Sequence, residues 1–117
     1  MHERSLVKAL LRRVEDLAAE HPGSHVVSVR VRIGEFSGVE PELLASAYHD
    51  LITDTALRGA ALDLEQVPLE AVCEQCGSQF RIERFNFRCD ICGSMELTIR
   101  GGEEMLLDSV TMEESEL

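Results

Sequence analysis

The sequence has few aromatic residues and no apolar run long enough to cross a membrane. It contains no Trp and one Tyr among 117 residues, although 44% of the residues are hydrophobic. A membrane-spanning helix needs about 20 consecutive apolar residues. A signal peptide is not expected either, because charged residues interrupt the first two turns. These absences predict a cytoplasmic protein that does not enter a membrane.

Positive charge is also scarce. The chain carries 11 Lys and Arg against 22 Asp and Glu, which gives a formal net charge of −11. Nucleic-acid-binding surfaces normally have an excess of bases, whereas an acidic chain favours cations or basic partners. The sequence also has no phosphate-binding loop, no nucleophile beside a base and no paired-carboxylate motif. We therefore expect no nucleic-acid partner and no enzyme activity.

Apolar periodicity predicts two helices and three strands. Stripes at three- and four-residue spacing predict helices over 3–20 and 41–57. The first stripe consists of Leu6, Leu10, Val14, Leu17 and Ala18, and the second of Leu43, Leu44, Ala47, Leu51 and Ile52. Alternating patterns predict strands over 26–34, 61–67 and 105–112, the first with Val27, Val29, Val31 and Ile33 on its buried face.

This order of elements predicts an α+β fold in which two helices pack on a three-stranded sheet. All four cysteines lie between the second and third predicted strands. We therefore expect a zinc-ribbon-like module inserted in the connection between those strands. On this interpretation, residues 1–67 plus 103–117 form the main domain and residues 68–102 form the module.

The four cysteines form two CxxC pairs separated by twelve residues, in CEQCGSQFRIERFNFRCDICGS. In a reducing compartment, closely spaced cysteines are more often metal ligands than disulfides. A glycine follows each pair, and Phe80, Ile82, Phe85 and Phe87 alternate between the pairs as in a hairpin. The pattern predicts a closed tetrahedral site for structural Zn(II) with Cys73, Cys76, Cys89 and Cys92 as ligands. Iron in the same sulfur geometry is the alternative.

The chain begins MHE, and a histidine at position 2 can chelate a metal together with the backbone. The amine of Met1 and the amide nitrogen of His2 would close a five-membered ring with the metal. That amide and the imidazole Nδ1 would close a six-membered ring. Three nitrogens in one plane suit Ni(II) or Cu(II), and Glu3 could add its amide nitrogen or carboxylate. The alternative is that His2 and Glu3 are ordinary solvated residues ahead of a helix.

Several segments together resemble the HypA/HybF family of hydrogenase maturation factors, which are nickel metallochaperones. These segments are the MHE start followed by SL, VRIGEFSGVEPELL, GAALDLEQVPLEAVC, the paired CxxC motifs and GGEEMLLDSV. The resemblance spans residues 1–112. It implies that His2 binds nickel in a site that includes Glu3 and the backbone at Met1, and that the four cysteines hold structural zinc.

The resemblance also implies a function and partners. A member of this family delivers Ni(II) toward the catalytic centre of nickel–iron hydrogenase and has no enzyme activity of its own. Its partners would be a HypB-type GTPase, the hydrogenase large subunit or its maturation complex and, in some organisms, urease maturation proteins. The second pair reads CDIC where many members have CPxC, a change that leaves both sulfurs in register. Either a monomer or a homodimer fits the sequence.

Two other classes of protein fit parts of the sequence. A zinc-ribbon interaction module with an ordinary N-terminus would bind zinc but would have no tight Ni(II) site. A small redox protein would hold iron in the four-sulfur site and would be red when oxidised, whereas the zinc form is colourless. Nickel binding and colour therefore separate the three hypotheses.

Overall fold

The computed structural model describes residues 3–115. Two helices and six strands follow one another along these residues, and the α+β class predicted from the sequence is confirmed. Their bounds are α1 Glu3–Ala19, β1 Ser24–Gly34, α2 Pro41–Ile52, β2 Ala61–Val67, β3 Glu70–Cys73, β4 Gln79–Arg81, β5 Leu97–Gly101 and β6 Met105–Glu114. Within the described residues, no helix has the length and apolar character needed to span a membrane.

The larger sheet has the strand order β2-β1-β6 and is called the main sheet below. β1 runs parallel to β2 and antiparallel to β6. Residues of α1 and α2 pack with those of β1 into one core. The fully buried members of this core include Val7 and Val14 of α1, Leu44 and Tyr48 of α2 and Val29 and Val31 of β1. The predicted pair of helices on a three-stranded sheet is therefore present.

A bulge in β1 changes which of its early residues face the core. The pairing with β6 passes from Val26 directly to Ser28, which leaves Val27 as an extra, unpaired residue. An extra residue reverses the alternation on one side of the bulge. Val26 is consequently buried and Val27 is only partly buried, so the prediction that Val27 faces the core is wrong. The predicted burial of Val29, Val31 and Ile33 is confirmed.

Both helices differ from the predicted patterns toward their C-terminal ends. On α1 the buried residues are Val7, Leu10, Leu11 and Val14, while Leu17 in the last turn is 37% exposed. α2 ends at Ile52 rather than near Leu57. The Thr53 hydroxyl donates to the carbonyl of His49 at 2.8 Å, and the Thr55 hydroxyl donates to that of Ile52 at 2.9 Å. These bonds satisfy carbonyls that a longer helix would bond to backbone N–H groups.

The smaller sheet has the order β4-β3-β5, with both pairings antiparallel, and is called the small sheet below. Its fully buried apolar residues outside the cysteines are Leu69, Ala71 and Ile82, so its core is much smaller than that of the main sheet. The hairpin pattern predicted through Phe85 and Phe87 is wrong because β4 ends at Arg81. A turn follows in which Arg84 and Phe85 have φ of 54° and 58°.

Gly34 and Gly102 allow segments of backbone to pass very close to one another between the two sheets. A Cβ at Gly34 would lie 2.4 Å from the carbonyl carbon of Gly102, and a Cβ at Gly102 would lie 2.6 Å from the Cα of Leu69. Backbone hydrogen bonds connect the same segments, from Gly34 N–H to the Glu104 carbonyl at 2.8 Å and from Phe36 N–H to the Gly102 carbonyl at 2.7 Å. This crossing joins the two sheets in a molecule 62 Å long.

Candidate metal centre

Four cysteine side chains meet at one end of the small sheet. Their sulfur atoms all lie within 4.8 Å of one another. The Sγ atoms of Cys73 and Cys92 are 3.5 Å apart, and those of Cys76 and Cys89 are 3.6 Å apart. Cys73 and Cys89 are buried, whereas Cys76 and Cys92 are exposed. Each CxxC pair therefore contributes one buried and one exposed sulfur to a single cluster.

Each CxxC pair is shaped by a tight turn that ends in glycine. Gly77 and Gly93 have φ of 76° and 75°, a conformation that glycine adopts without strain. Their N–H groups donate to the carbonyls of Cys73 and Cys89, both at 2.9 Å. The left-handed φ at these positions therefore explains the glycine of each CxxCG repeat. The turn brings the two sulfurs of each pair toward the same point.

The cluster has the donor set and the spacing of a structural zinc site. Zinc binds four thiolates tetrahedrally with zinc–sulfur distances of about 2.3 Å, which places the sulfurs about 3.8 Å apart. The two Sγ distances of 3.5 and 3.6 Å are close to that separation. Four thiolates complete the tetrahedron and leave no position for a substrate or an exchanging ligand. The four-cysteine cluster therefore suits structural zinc.

Hydrogen bonds make the sulfurs unequal. The Ser78 hydroxyl lies 3.3 Å from the Sγ of Cys76 and 3.3 Å from that of Cys89. In the metal-free cluster, the Ser78 hydroxyl and then the Cys92 N–H lower the pKa of Cys89 to about 6. The Ser94 N–H acts to lower the pKa of Cys92, but hydrogen bonds with Cys73 and the other sulfurs, together with desolvation, raise it to about 12. Cys89 is therefore the more readily ionised of these two ligands.

The predicted nickel ligands lie only partly in the described residues. Met1 and His2 fall outside them, and Glu3 is the first residue of α1. The Oε2 atom of Glu3 accepts the backbone N–H of Glu40 at 3.5 Å, just before α2. Because the first N–H groups of a helix have no intrahelical acceptor, the amide nitrogen of Glu3 takes no part in the hydrogen bonds of α1.

In the described part of the chain, the cysteine cluster is the only group of three or more potential metal ligands that lie close together. Between residues 3 and 115, no other group of three or more His, Cys, Asp or Glu side chains has the spacing of a metal site. His21, His25 and His49 are exposed, and the Nδ1 of His25 lies 3.2 Å from the Ser115 hydroxyl. The acidic surface thus does not provide a second candidate site in these residues.

The contact of Ser78 with two sulfurs could not be read from the sequence. Serine follows the glycine in both turns, as CGS at 76–78 and again at 92–94. The structure places one hydroxyl against the sulfurs, while the other, that of Ser94, accepts the N–H of Glu96 at 3.1 Å. The repeated CGS indicated that serine suits this turn, but it gave no means to distinguish the two positions.

Comparisons with known proteins agree over nearly the whole chain. A family model described as "Hydrogenase/urease nickel incorporation, metallochaperone, hypA" matches residues 1–112. The hydrogenase maturation factor HypA of Nitrosospira multiformis is 39% identical over 112 residues, which cover 96% of this chain and 97% of that protein. HypA of Aquifex aeolicus is also 39% identical, over 97% of this chain and 98% of its own length.

Solved structures give the same result. The solution structure of the Ni metallochaperone HypA from Helicobacter pylori aligns with a TM-score of 0.67 at 30% identity, covering 99% of this chain and all of the other. A second solution structure of a HypA protein aligns with a TM-score of 0.71 at 30% identity, covering 96% of each chain. The similarity therefore extends over both sheets and the cysteine cluster.

Proposed function

The chain belongs to the HypA family of nickel metallochaperones for hydrogenase maturation, and we propose that it holds its cargo at the N-terminus. The proposed Ni(II) ligands are the amine of Met1, the amide nitrogen and imidazole of His2, and Glu3. Three of these donors form fused five- and six-membered chelate rings in one plane, which suits square-planar Ni(II). A site formed by the first three residues is also accessible to a partner that receives the metal.

The closed sulfur cluster is the observation that carries this proposal. A delivery site must exchange its metal, and a four-thiolate tetrahedron offers no open position for an incoming ligand. Within residues 3–115, no other group of three or more His, Cys, Asp or Glu side chains has the spacing of a metal site. The cargo and the structural metal therefore need different donors. The MHE start supplies nitrogen donors, which suit Ni(II) better than a closed four-thiolate site does.

The position of Glu3 supports a role for its backbone more than for its carboxylate. The carboxylate already accepts the N–H of Glu40. Its amide nitrogen lies at the start of α1, where deprotonation on metal binding would break no helical hydrogen bond. We therefore favour the amide nitrogen of Glu3 as the fourth nickel donor.

The same proposal assigns structural zinc to Cys73, Cys76, Cys89 and Cys92 and treats residues 68–102 as a zinc-binding module. The buried apolar core of the small sheet outside the cysteines contains three residues. So small a core contributes little to folding, and in such units the free energy of metal binding is largely folding free energy. Residues 1–67 and 103–117 would form the nickel-binding domain, and neither part is expected to catalyse a reaction.

We further propose that the chain acts in the cytoplasm with a HypB-type GTPase and the hydrogenase large subunit or its maturation complex. The support is family membership together with four free cysteines that a reducing compartment would keep as thiols. The description of the matching family also mentions urease, so urease maturation proteins are further candidates for partners.

A nickel titration of His2→Ala tests the proposed cargo site. We expect the untagged, zinc-loaded protein to bind Ni(II) at one site by calorimetry, and the variant to lose that binding while keeping its zinc and its circular dichroism spectrum. His21→Ala is the matched control, because it removes an exposed histidine that lies beyond the end of α1. Unchanged nickel affinity in His2→Ala would exclude His2 as a ligand.

A further inference from the structure

The two CxxC turns have nearly the same backbone but different environments. Residues 73–78 and 89–94 share the pattern CxxCGS. Within each turn, the first cysteine donates its N–H to the carbonyl of the serine, at 2.9 Å in the first turn and 2.8 Å in the second. The glycines differ in φ by only one degree. The two turns can therefore be compared directly, because they share the same sequence pattern and nearly the same backbone conformation.

The serine hydroxyls break this symmetry. Ser78 Oγ lies 3.3 Å from the sulfurs of both Cys76 and Cys89, which belong to different turns. Ser94 Oγ instead accepts the backbone N–H of Glu96. No side-chain hydroxyl in residues 3–115 is in hydrogen-bond contact with the sulfurs of Cys73 or Cys92.

The sulfur of Cys89 receives the largest number of donors. Besides the Ser78 hydroxyl, the N–H groups of Ile91 and Cys92 point to it at 3.4 and 3.5 Å. A hydroxyl carries one proton, so it donates to one sulfur at a time or shares the proton between two. Hydrogen bonds to an ionised acceptor are stronger than those between neutral groups, and they reduce the electron density that a thiolate offers to an electrophile.

We propose that Ser78 is a positioning residue of the zinc site, whose hydroxyl orients the thiolates of Cys76 and Cys89 and makes them less reactive than those of Cys73 and Cys92. This inference rests on the proposed zinc ligation by the four cysteines. Groups that hydrogen-bond to metal ligands fix the orientation of those ligands and tune the metal they hold. The edge formed by Cys76 and Cys89 is accordingly protected by a hydroxyl. The edge formed by Cys73 and Cys92 has no such hydroxyl, and Cys92 on this edge is exposed.

Alkylation of the zinc-loaded, full-length protein tests the proposal. Iodoacetamide forms a carbon–sulfur bond with a thiolate and expels iodide, and the alkylated sulfur then releases zinc to a coloured chelator. We expect zinc release from Ser78→Ala to be about 10- to 150-fold faster than from the wild type, as loss of one hydrogen bond to a charged group implies. Peptide mass spectrometry should then find early adducts on Cys76 or Cys89, which in the wild type follow Cys92.

Two further variants separate a hydroxyl effect from a general effect on the turn. Ser94→Ala removes the matched hydroxyl that does not reach sulfur and should release zinc at the wild-type rate. Ser78→Thr keeps a hydroxyl and should restore slow release. Equal rates for Ser78→Ala and the wild type, or equal acceleration by Ser94→Ala, would overturn the proposal.

Cobalt substitution distinguishes failure of this inference from failure of the zinc assignment. Co(II) in four thiolates gives intense sulfur-to-metal charge-transfer bands, and loss of a hydrogen bond to sulfur should shift them to lower energy in Ser78→Ala but not in Ser94→Ala. A wild-type spectrum without four-thiolate intensity would refute the zinc assignment itself. A four-thiolate spectrum that is identical in both variants would refute only the role of Ser78.

Discussion

Gly102→Ala is expected to destabilise the crossing between the two sheets strongly, whereas Gly101→Ala, one residue earlier, is not. Gly102 has φ of +96°, and its added Cβ would lie 2.6 Å from both the Cα of Leu69 and the carbonyl oxygen of Pro68. Both contacts are with backbone, which cannot rotate away. At Gly101 an added Cβ meets no heavy atom within 4 Å, and its φ lies outside the left-handed region.

The magnitude follows from two terms. Left-handed backbone at a residue with a Cβ costs about 1–2 kcal/mol, and forcing an extra carbon into a filled space costs about 1–3 kcal/mol. We therefore expect Gly102→Ala to lower the free energy of unfolding by about 2–5 kcal/mol. Gly101→Ala should change it by less than about 1 kcal/mol and can raise it, because alanine reduces the entropy of the unfolded chain.

Denaturant unfolding of the zinc-loaded proteins, followed by circular dichroism, measures both values. Since small domains are stable by about 5–15 kcal/mol, a loss of several kcal/mol would move the midpoint far outside experimental scatter. Equal destabilisation by the two variants, or a loss below about 1 kcal/mol for Gly102→Ala, would refute the close approach of Gly102 to Pro68 and Leu69.

Three other predictions concern the metal, one buried hydroxyl and pH. Removal of zinc by a chelator should abolish amide-exchange protection in β3, β4 and β5 while α1 and β1 stay protected. The small sheet has only three buried core residues outside the cysteines in the described part of the chain, so its folding depends on zinc. Protection that is unchanged throughout would contradict this prediction. Tyr48→Phe should cost about 1–2 kcal/mol of unfolding free energy, since the buried hydroxyl donates to the Ala60 carbonyl at 2.9 Å; wild-type stability by denaturant unfolding would argue against that bond. Zinc affinity should fall more steeply below pH 6, because Cys89, whose pKa is lowered to about 6, is then protonated and zinc must displace the proton. Competition titrations between pH 5 and 8 that show no such break would contradict the lowered pKa of Cys89.

The parts of the fold that depend on local pattern were predictable from the sequence. Alternation in β1 and β2 and the three- and four-residue spacing in both helices reflect burial of one face, which the order of apolar residues records directly. The spacing of the cysteines likewise predicted their cluster, because two CxxC turns have few ways to arrange their sulfurs. These features need no knowledge of distant contacts.

The features that the sequence did not reveal depend on contacts between distant residues. Whether Val26 or Val27 faces the core is decided by a bulge in the pairing with β6, more than 80 residues away along the chain. The early end of α2 depends on threonine side chains that bond helix carbonyls, although threonine also occurs inside helices. Ser78 and Ser94 each end a CxxCGS pattern, and only the assembled cluster shows which hydroxyl reaches sulfur.

Nickel titration of the zinc-loaded protein with a free or a blocked N-terminus tests the proposed cargo site most directly. The comparison uses the untagged chain and the same chain extended by Gly-Ser-Gly-Ser-Gly, which keeps His2 but moves the amine away from it. Our account predicts one tight Ni(II) site in the first protein, no tight site in the second, and equal zinc content in both. Equal nickel affinity in the two proteins would contradict ligation by the terminal amine.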